Sequence, residues 1–147
     1  MTAPITITPL TGIPEVHEGD DLADVLEVGL DHAGVRLADG DVVVVSSKIA
    51  SKALGLVTHD PDKDRVVHGE TEYVVAERST GDRVTRIVRA KAGPIMAAAG
   101  VDGSNTGARG GWLLLPHDPD GICEQIHDAL VARHGVRRRG QAPLHAR

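Results

Sequence analysis

Residues 39–52 read Asp39-Gly40-Asp41-Val42-Val43-Val44-Val45-Ser46-Ser47-Lys48-Ile49-Ala50-Ser51-Lys52, and this stretch decides how the rest of the chain is read. Ala38-Asp39-Gly40-Asp41 is a turn. Four successive β-branched residues favour a strand. The lack of polar alternation predicts burial on both faces, as in a central strand of a sheet. That strand runs out into a polar segment carrying two lysines, the place where α/β proteins gather ligands. Lys48 and Lys52 beside main-chain amides can bind a phosphate. At a spacing of i and i+4 they can equally be two solvated lysines on one helix face, and spacing alone leaves both readings open.

Upstream, Ile5-Thr6-Ile7-Thr8-Pro9-Leu10 alternates and predicts a short strand, at an edge because of Pro9. A Gly12-Ile13-Pro14 turn follows. Asp20-Asp21-Leu22 opens a helix with Leu22, Val25, Leu26 and Leu30 on one face; Gly29 weakens it and Gly34 ends it. Downstream, residues 58–70 are polar and turn-rich and read as a surface excursion. Glu70 to Arg78 is read as helix, Val84 to Arg89 as strand, and Ile95 to Ala99 as a small apolar segment. Trp112-Leu113-Leu114-Leu115 reads as a second buried strand. Asp118 then caps a helix with Pro119 at its first position. Its apolar face is Ile122, Cys123, Ile126, Leu130 and Val131, with Cys123 an inert core thiol, and Gly135 ends it. The order of strands and helices predicts an α/β (mixed α+β) protein built around one core. Residues 137–147, with Arg137-Arg138-Arg139, show no periodicity and read as an unrelated or disordered tail.

Composition bounds the function. A chain of 147 residues with 41 % apolar residues suffices for one domain, which at this size buries roughly two-thirds of its unfolded surface. It has no Phe, one Trp and one Tyr, so the core must be aliphatic. Base-stacking nucleic-acid modules need exposed rings, and phosphate neutralisation needs excess positive charge. Here 16 Lys+Arg face 21 Asp+Glu, a net charge of -5. A single cysteine forms no internal disulfide and fits a reducing compartment. The first residues do not read as a secretory signal, and no run approaches the ~20 apolar residues of a membrane span. The expectation is a cytoplasmic protein without nucleic-acid or membrane partners.

Common catalytic signatures are missing. There is no phosphate loop, no Gly-x-Gly-x-x-Gly fingerprint and no Gly-x-Ser-x-Gly elbow. Asp102, in Gly100-Val101-Asp102-Gly103-Ser104-Asn105, offers a hard oxygen ligand for Mg²⁺ or Mn²⁺. It is also an ordinary Asp-Gly turn, and composition leaves both open. A calcium loop starting at Asp102 would need a bidentate Glu where Leu113 stands, and one built on Asp60, Asp62 and Asp64 would need Gly where Arg65 stands; both are rejected. His127 and His134, seven apart on one helix, make an incomplete zinc set.

Four blocks in register carry a family resemblance. They are Ile13-Pro14-Glu15-Val16 followed by Glu18-Gly19-Asp20-Asp21-Leu22, the stretch 39–52, Ala97-Ala98-Ala99-Gly100-Val101-Asp102-Gly103-Ser104-Asn105, and Leu113-Leu114-Leu115-Pro116-His117-Asp118-Pro119-Asp120. Their order and spacing resemble the coenzyme F420:L-glutamate ligase family, from about residue 4 to about residue 136. The resemblance implies a mixed α/β ligase fold, a mixed sheet with flanking helices, of which residues 1–136 are the N-terminal part. It also implies an amide-forming reaction in coenzyme F420 biosynthesis. L-glutamate is joined to a carboxylate of the F420 precursor, further glutamates follow through γ-linkages, and GTP activates the carboxylate as an acyl phosphate with Mg²⁺ or Mn²⁺ and K⁺. By position, Ile13, Pro14, Glu15, Val16, Ser47, Lys48, Lys52 and Asn105 would contact GTP, and Asp102 would bind metal. No catalytic residue is assigned. The family resemblance further implies a homodimer. Its later Ser-Asp-Thr/Ser block, a source of further metal ligands, has no counterpart here. The expectation is therefore either a ligase part, including half of a two-chain enzyme, or a GTP-binding remnant without chemistry.

Overall fold

The computed structural model describes residues 4–81, 83–106 and 110–136. In chain order the elements are α1 (Leu22–Ala33), α2 (Ser47–Ala53), β1 (Val57–Thr58), α3 (Lys63–Glu70), β2 (Thr71–Thr80), β3 (Arg83–Ala90), β4 (Ile95–Ala97), a 3-10 turn (Ala98–Gly100), β5 (Trp112–Leu113) and α4 (Pro119–His134). The strands form two antiparallel sheets, β2-β3-β4 and β1-β5. The fold class is the expected mixture of helix and sheet. The predicted tail over 137–147 lies outside the described residues.

Capping and periodicity place both long helices as read. The Asp21 carboxylate accepts from the Asp24 amide at 2.9 Å, and Gly34 closes α1 in the left-handed conformation. The Asp118 carboxylate accepts from the Gly121 amide at 3.0 Å, Pro119 fills the first turn and left-handed Gly135 ends α4. These side chains satisfy amides that the first turn of a helix leaves unpaired. The apolar stripes meet: Leu26 and Leu30 of α1 pack with Ile126 and Leu130 of α4. Polar contacts fasten the rim, with Arg133 2.6 Å from Asp24 and His134 3.0 Å from Glu27. Cys123 departs from expectation, since it is exposed rather than in the core.

Several sequence expectations are corrected. Val42–Val45 is not a central strand. Val43 and Val45 pack on the α1–α4 cluster, while Val42 and Val44 are 83 % and 89 % exposed. The β-branched residues favour extended backbone, but among the described residues no strand lies alongside to pair with it. Ile5–Leu10 forms no strand for the same reason; Ile5 and Ile7 stand in solvent, and Leu10 packs on the helix cluster. The excursion at 58–70 contains helix α3, whose Asp62 cap accepts from the Asp64 and Arg65 amides. The stretch read as helix from Glu70 is strand β2. Its Thr71, Tyr73, Val74 and Val75 suit an extended chain, and β3 supplies the pairing, with Val74 opposite Val88. The second apolar strand is shorter than expected, only Trp112–Leu113, though the Leu114 amide still donates to the Leu56 carbonyl.

Candidate functional site

The turn before α1, helix α2 and the loop before β5 enclose a cavity of about 920 Å³. Ligand sites commonly occupy roughly 300–1,000 Å³. Val16 anchors one wall by packing with Val25 of α1 and Ala53 of α2, which brings Ile13, Pro14 and Glu15 to face the helix. Helix α2 begins where Ser46 accepts from the Lys48 amide, and it presents Lys48 and Lys52 one turn apart on the cavity side. Buried Ser51, on the opposite side, holds the helix to the body. Its hydroxyl lies 2.6 Å from the Leu114 carbonyl and 2.9 Å from the Ser47 carbonyl.

Of the residues picked from the sequence, Ile13, Pro14, Glu15, Val16, Lys48, Lys52 and Asn105 line this cavity. Ser47 instead borders a smaller cavity on the other side of α2. Asp102 sits beside Lys48. Its carboxylate lies 2.8 Å from the ammonium, accepts from the Ser104 amide at 2.8 Å, and shares Lys48 with the Ser104 hydroxyl. The approach to this loop is unusual. Ala98, Ala99 and Gly100 all have left-handed backbone, with φ of 51°, 50° and 76°. That conformation costs roughly 1–2 kcal/mol for a residue with a Cβ. Gly100 avoids that cost, and a Cβ there would collide with Leu115. Strain of this kind persists where surrounding structure enforces it, often beside functional groups. Here it aims the chain so that Asp102 bridges to Leu113 of β5 and reaches Lys48.

Sequence reading missed His17, Glu18, His59 and Thr106, which also line the cavity. Glu18 stands within the first quoted block, and His17 lies between its two halves, so both could have been noticed there; isolated His59 and Thr106 carry no local signal. Trp112 braces the same wall, donating from Nε1 to the Asp60 carbonyl at 2.9 Å with the Lys63 ammonium 5.0 Å above its ring.

Both lysines are already paired with carboxylates. Lys52 and Glu15 lie 2.5 Å apart, with side chains 16 % and 63 % exposed. The ammonium holds the Glu15 carboxyl below its usual range. Hydrogen bonds from Lys48 and from the Ser104 amide and hydroxyl bring Asp102 down from 3.8 to about 2. A depressed folded-state value stabilises the fold above the ordinary carboxylate range, and the contribution is lost as pH falls through the folded value. Urea midpoints measured from pH 5 to pH 2 should therefore fall more steeply for the wild type than for Asp102→Asn. Ser51→Ala should cost about 1–2 kcal/mol in the same assay, because the Leu114 carbonyl loses its hydroxyl donor.

Asp102 does not by itself fit a divalent metal. Hard cations want six or more oxygens, its oxygens already serve Lys48 and Ser104, and among the described residues no three His, Cys, Asp or Glu side chains cluster as a metal set.

The model of the F420-0:gamma-glutamyl ligase family matches residues 12–139. The chain belongs to that family. Similar proteins named coenzyme F420:L-glutamate ligase include that of Archaeoglobus fulgidus, 31 % identical over 90 % of this chain and 57 % of its own length. That of Natronomonas pharaonis is 35 % identical over 81 % of this chain and 53 % of its own. That of Methanothermobacter thermautotrophicus is 30 % identical over 89 % and 58 %. The chain thus spans a little over half the length of these curated relatives. Among the described residues no helix of this family member is long and apolar enough to cross a membrane.

Proposed function

We propose that this chain is the GTP-binding part of a ligase that adds L-glutamate to the coenzyme F420 precursor. The observation that carries this reading is the convergence of two lysines, four residues apart on α2, with Ile13–Val16 and Asn105 on one cavity of nucleotide size. Relatives named for the same ligation support the reaction class. In the proposed reaction a precursor carboxylate oxygen takes the γ-phosphoryl group and GDP departs. The amine of glutamate then forms the C–N bond, losing a proton, and inorganic phosphate leaves. A carboxylate is a poor acyl donor until phosphorylated, so positioning and charge neutralisation at the phosphoryl group carry the catalysis.

Magnitudes favour phosphate over the resident carboxylates. Lys52 already donates a charge-assisted hydrogen bond to Glu15, but that carboxylate is mostly in solvent and its attraction is screened. A hydrogen bond from an ammonium to a charged acceptor is worth about 1.5–3 kcal/mol. A nucleotide seated in the cavity would offer the ammonium groups multiply charged phosphate oxygens in place of single, solvent-screened carboxylates.

Mg²⁺ or Mn²⁺, with K⁺, belongs to the same proposal. Asp102 would supply one oxygen ligand, and the bound ion would neutralise charge on the phosphates. A homodimer in the cytoplasm completes it. Exposed Tyr73, Val74, Val75 and Val84 on β2 and β3 offer an apolar surface that supports association.

Amide NMR spectra titrated with GTP test the reading. Shifts concentrated at residues 13–16, 48–52 and 105 are expected. No saturable shifts, or shifts centred elsewhere, would refute it. A second reading, a nucleotide-binding remnant without chemistry, is favoured by the sparse donor set at Asp102. GTP binding without glutamate incorporation when the rest of the fold is supplied would select it.

A further inference from the structure

We propose that Val42–Val45 is an acceptor edge for a β-strand contributed by the part of the ligase fold that this chain does not span. The inference rests on family membership and on this surface, and is independent of the nucleotide reading. Within the segment exposure alternates with period two. Val43 and Val45 point into the α1–α4 cluster, while Val42 and Val44 stand almost fully in solvent. That is the geometry of a strand, yet among the described residues no strand pairs with it. Four β-branched residues in a row suit a position covered on both faces. A lone exposed row of backbone amides and carbonyls is a template for an incoming strand.

Two further observations extend the surface. The segment Ile5–Leu10 sits on the same helix cluster through Leu10 and likewise exposes Ile5 and Ile7. At the end of the valine run, Val45 forms one wall of a cavity of about 260 Å³ whose other walls include Ala50, Pro94, Leu115, Ile122 and Cys123. The cavity is largely apolar and suits a hydrophobic side chain leaving the added strand. The occupant follows from coverage. The chain spans 57 % of the Archaeoglobus fulgidus relative, so a large share of that fold is supplied by polypeptide outside the matched region. We commit to that polypeptide, and a second copy of this chain is an outcome of the test.

The full chain is co-expressed with a tagged polypeptide comprising the portion of the Archaeoglobus fulgidus ligase that it does not match. The expected result is a one-to-one complex in which amides 42–45 exchange at least tenfold more slowly than in the chain alone. Cys123, the sole cysteine, should also be alkylated more slowly. The double variant Val42→Asp/Val44→Asp should abolish capture. Its substituted side chains point outward, so its helical circular dichroism and urea midpoint should match the wild type. Three results would overturn the proposal: no complex with a folded chain, capture undiminished by the double variant, or protection of amides 42–45 in the chain alone with the sedimenting mass of two copies.

Discussion

Lys52→Ala is expected to weaken GTP binding roughly 10- to 100-fold. Its ammonium lies at the cavity wall with the side chain only 16 % exposed, and its present partner is the more exposed Glu15. Removing it deletes a charge-assisted hydrogen bond of about 1.5–3 kcal/mol, which corresponds to that range of affinity. It also leaves the Glu15 carboxylate facing the phosphates without compensation. The fold should hardly notice, since the pair with exposed Glu15 is screened by solvent. Calorimetric titration at fixed salt checks the affinity. An unchanged dissociation constant would show that the phosphates do not lie against α2.

Leu30→Ala should be the most destabilising truncation in the molecule, at about 2–5 kcal/mol. Leu30 is 1 % exposed and packs at the centre of the α1–α4 cluster. Partly buried Val35, Leu37, Val43 and Val45 lean on that cluster from outside, but a missing isopropyl group in so tight a position leaves a void they fill only in part. At this chain length each kcal/mol corresponds to roughly 2–4 °C. Scanning calorimetry should therefore show the midpoint fall by roughly 4–20 °C. A change below 1 kcal/mol would mean that the two helices do not pack as described.

These two residues also mark what the sequence made legible. Leu30 belongs to a helix written in local signals, an Asp cap at one end, a Gly at the other and an apolar stripe between, and α4 is written the same way. Strand β2 is hidden because Glu72, Glu77 and Arg78 mimic a charged helix. Its identity depends on β3, from Arg83 onward, and pairing across a hairpin outweighs local propensity. The valine run misled in the opposite sense. Val42–Val45 has the composition of a central strand, but composition cannot supply the neighbour that makes a strand part of a sheet.

The candidate site was legible only in pieces. Residues 13–16, 48, 52 and 105 were picked out by resemblance and meet around one cavity. Their proximity arises from the packing of Val16 on Val25 and Ala53, which no local pattern announces. The contact of Lys48 with Asp102 depends on a left-handed backbone run at Ala98–Gly100 and on the bridge from Asp102 to Leu113. Alanines give no hint of such a conformation, because glycine is the residue that normally signals it.

Thermal unfolding of the chain with and without GTP plus Mn²⁺ tests the central claim most directly. A ligand present at 100 times its dissociation constant stabilises the folded state by about 2.7 kcal/mol, and at this size that raises the midpoint by roughly 5–10 °C. The account predicts such a rise in the wild type and a markedly smaller one in Lys52→Ala at the same GTP concentration. A cooperatively unfolding chain whose midpoint does not move with millimolar GTP would contradict it.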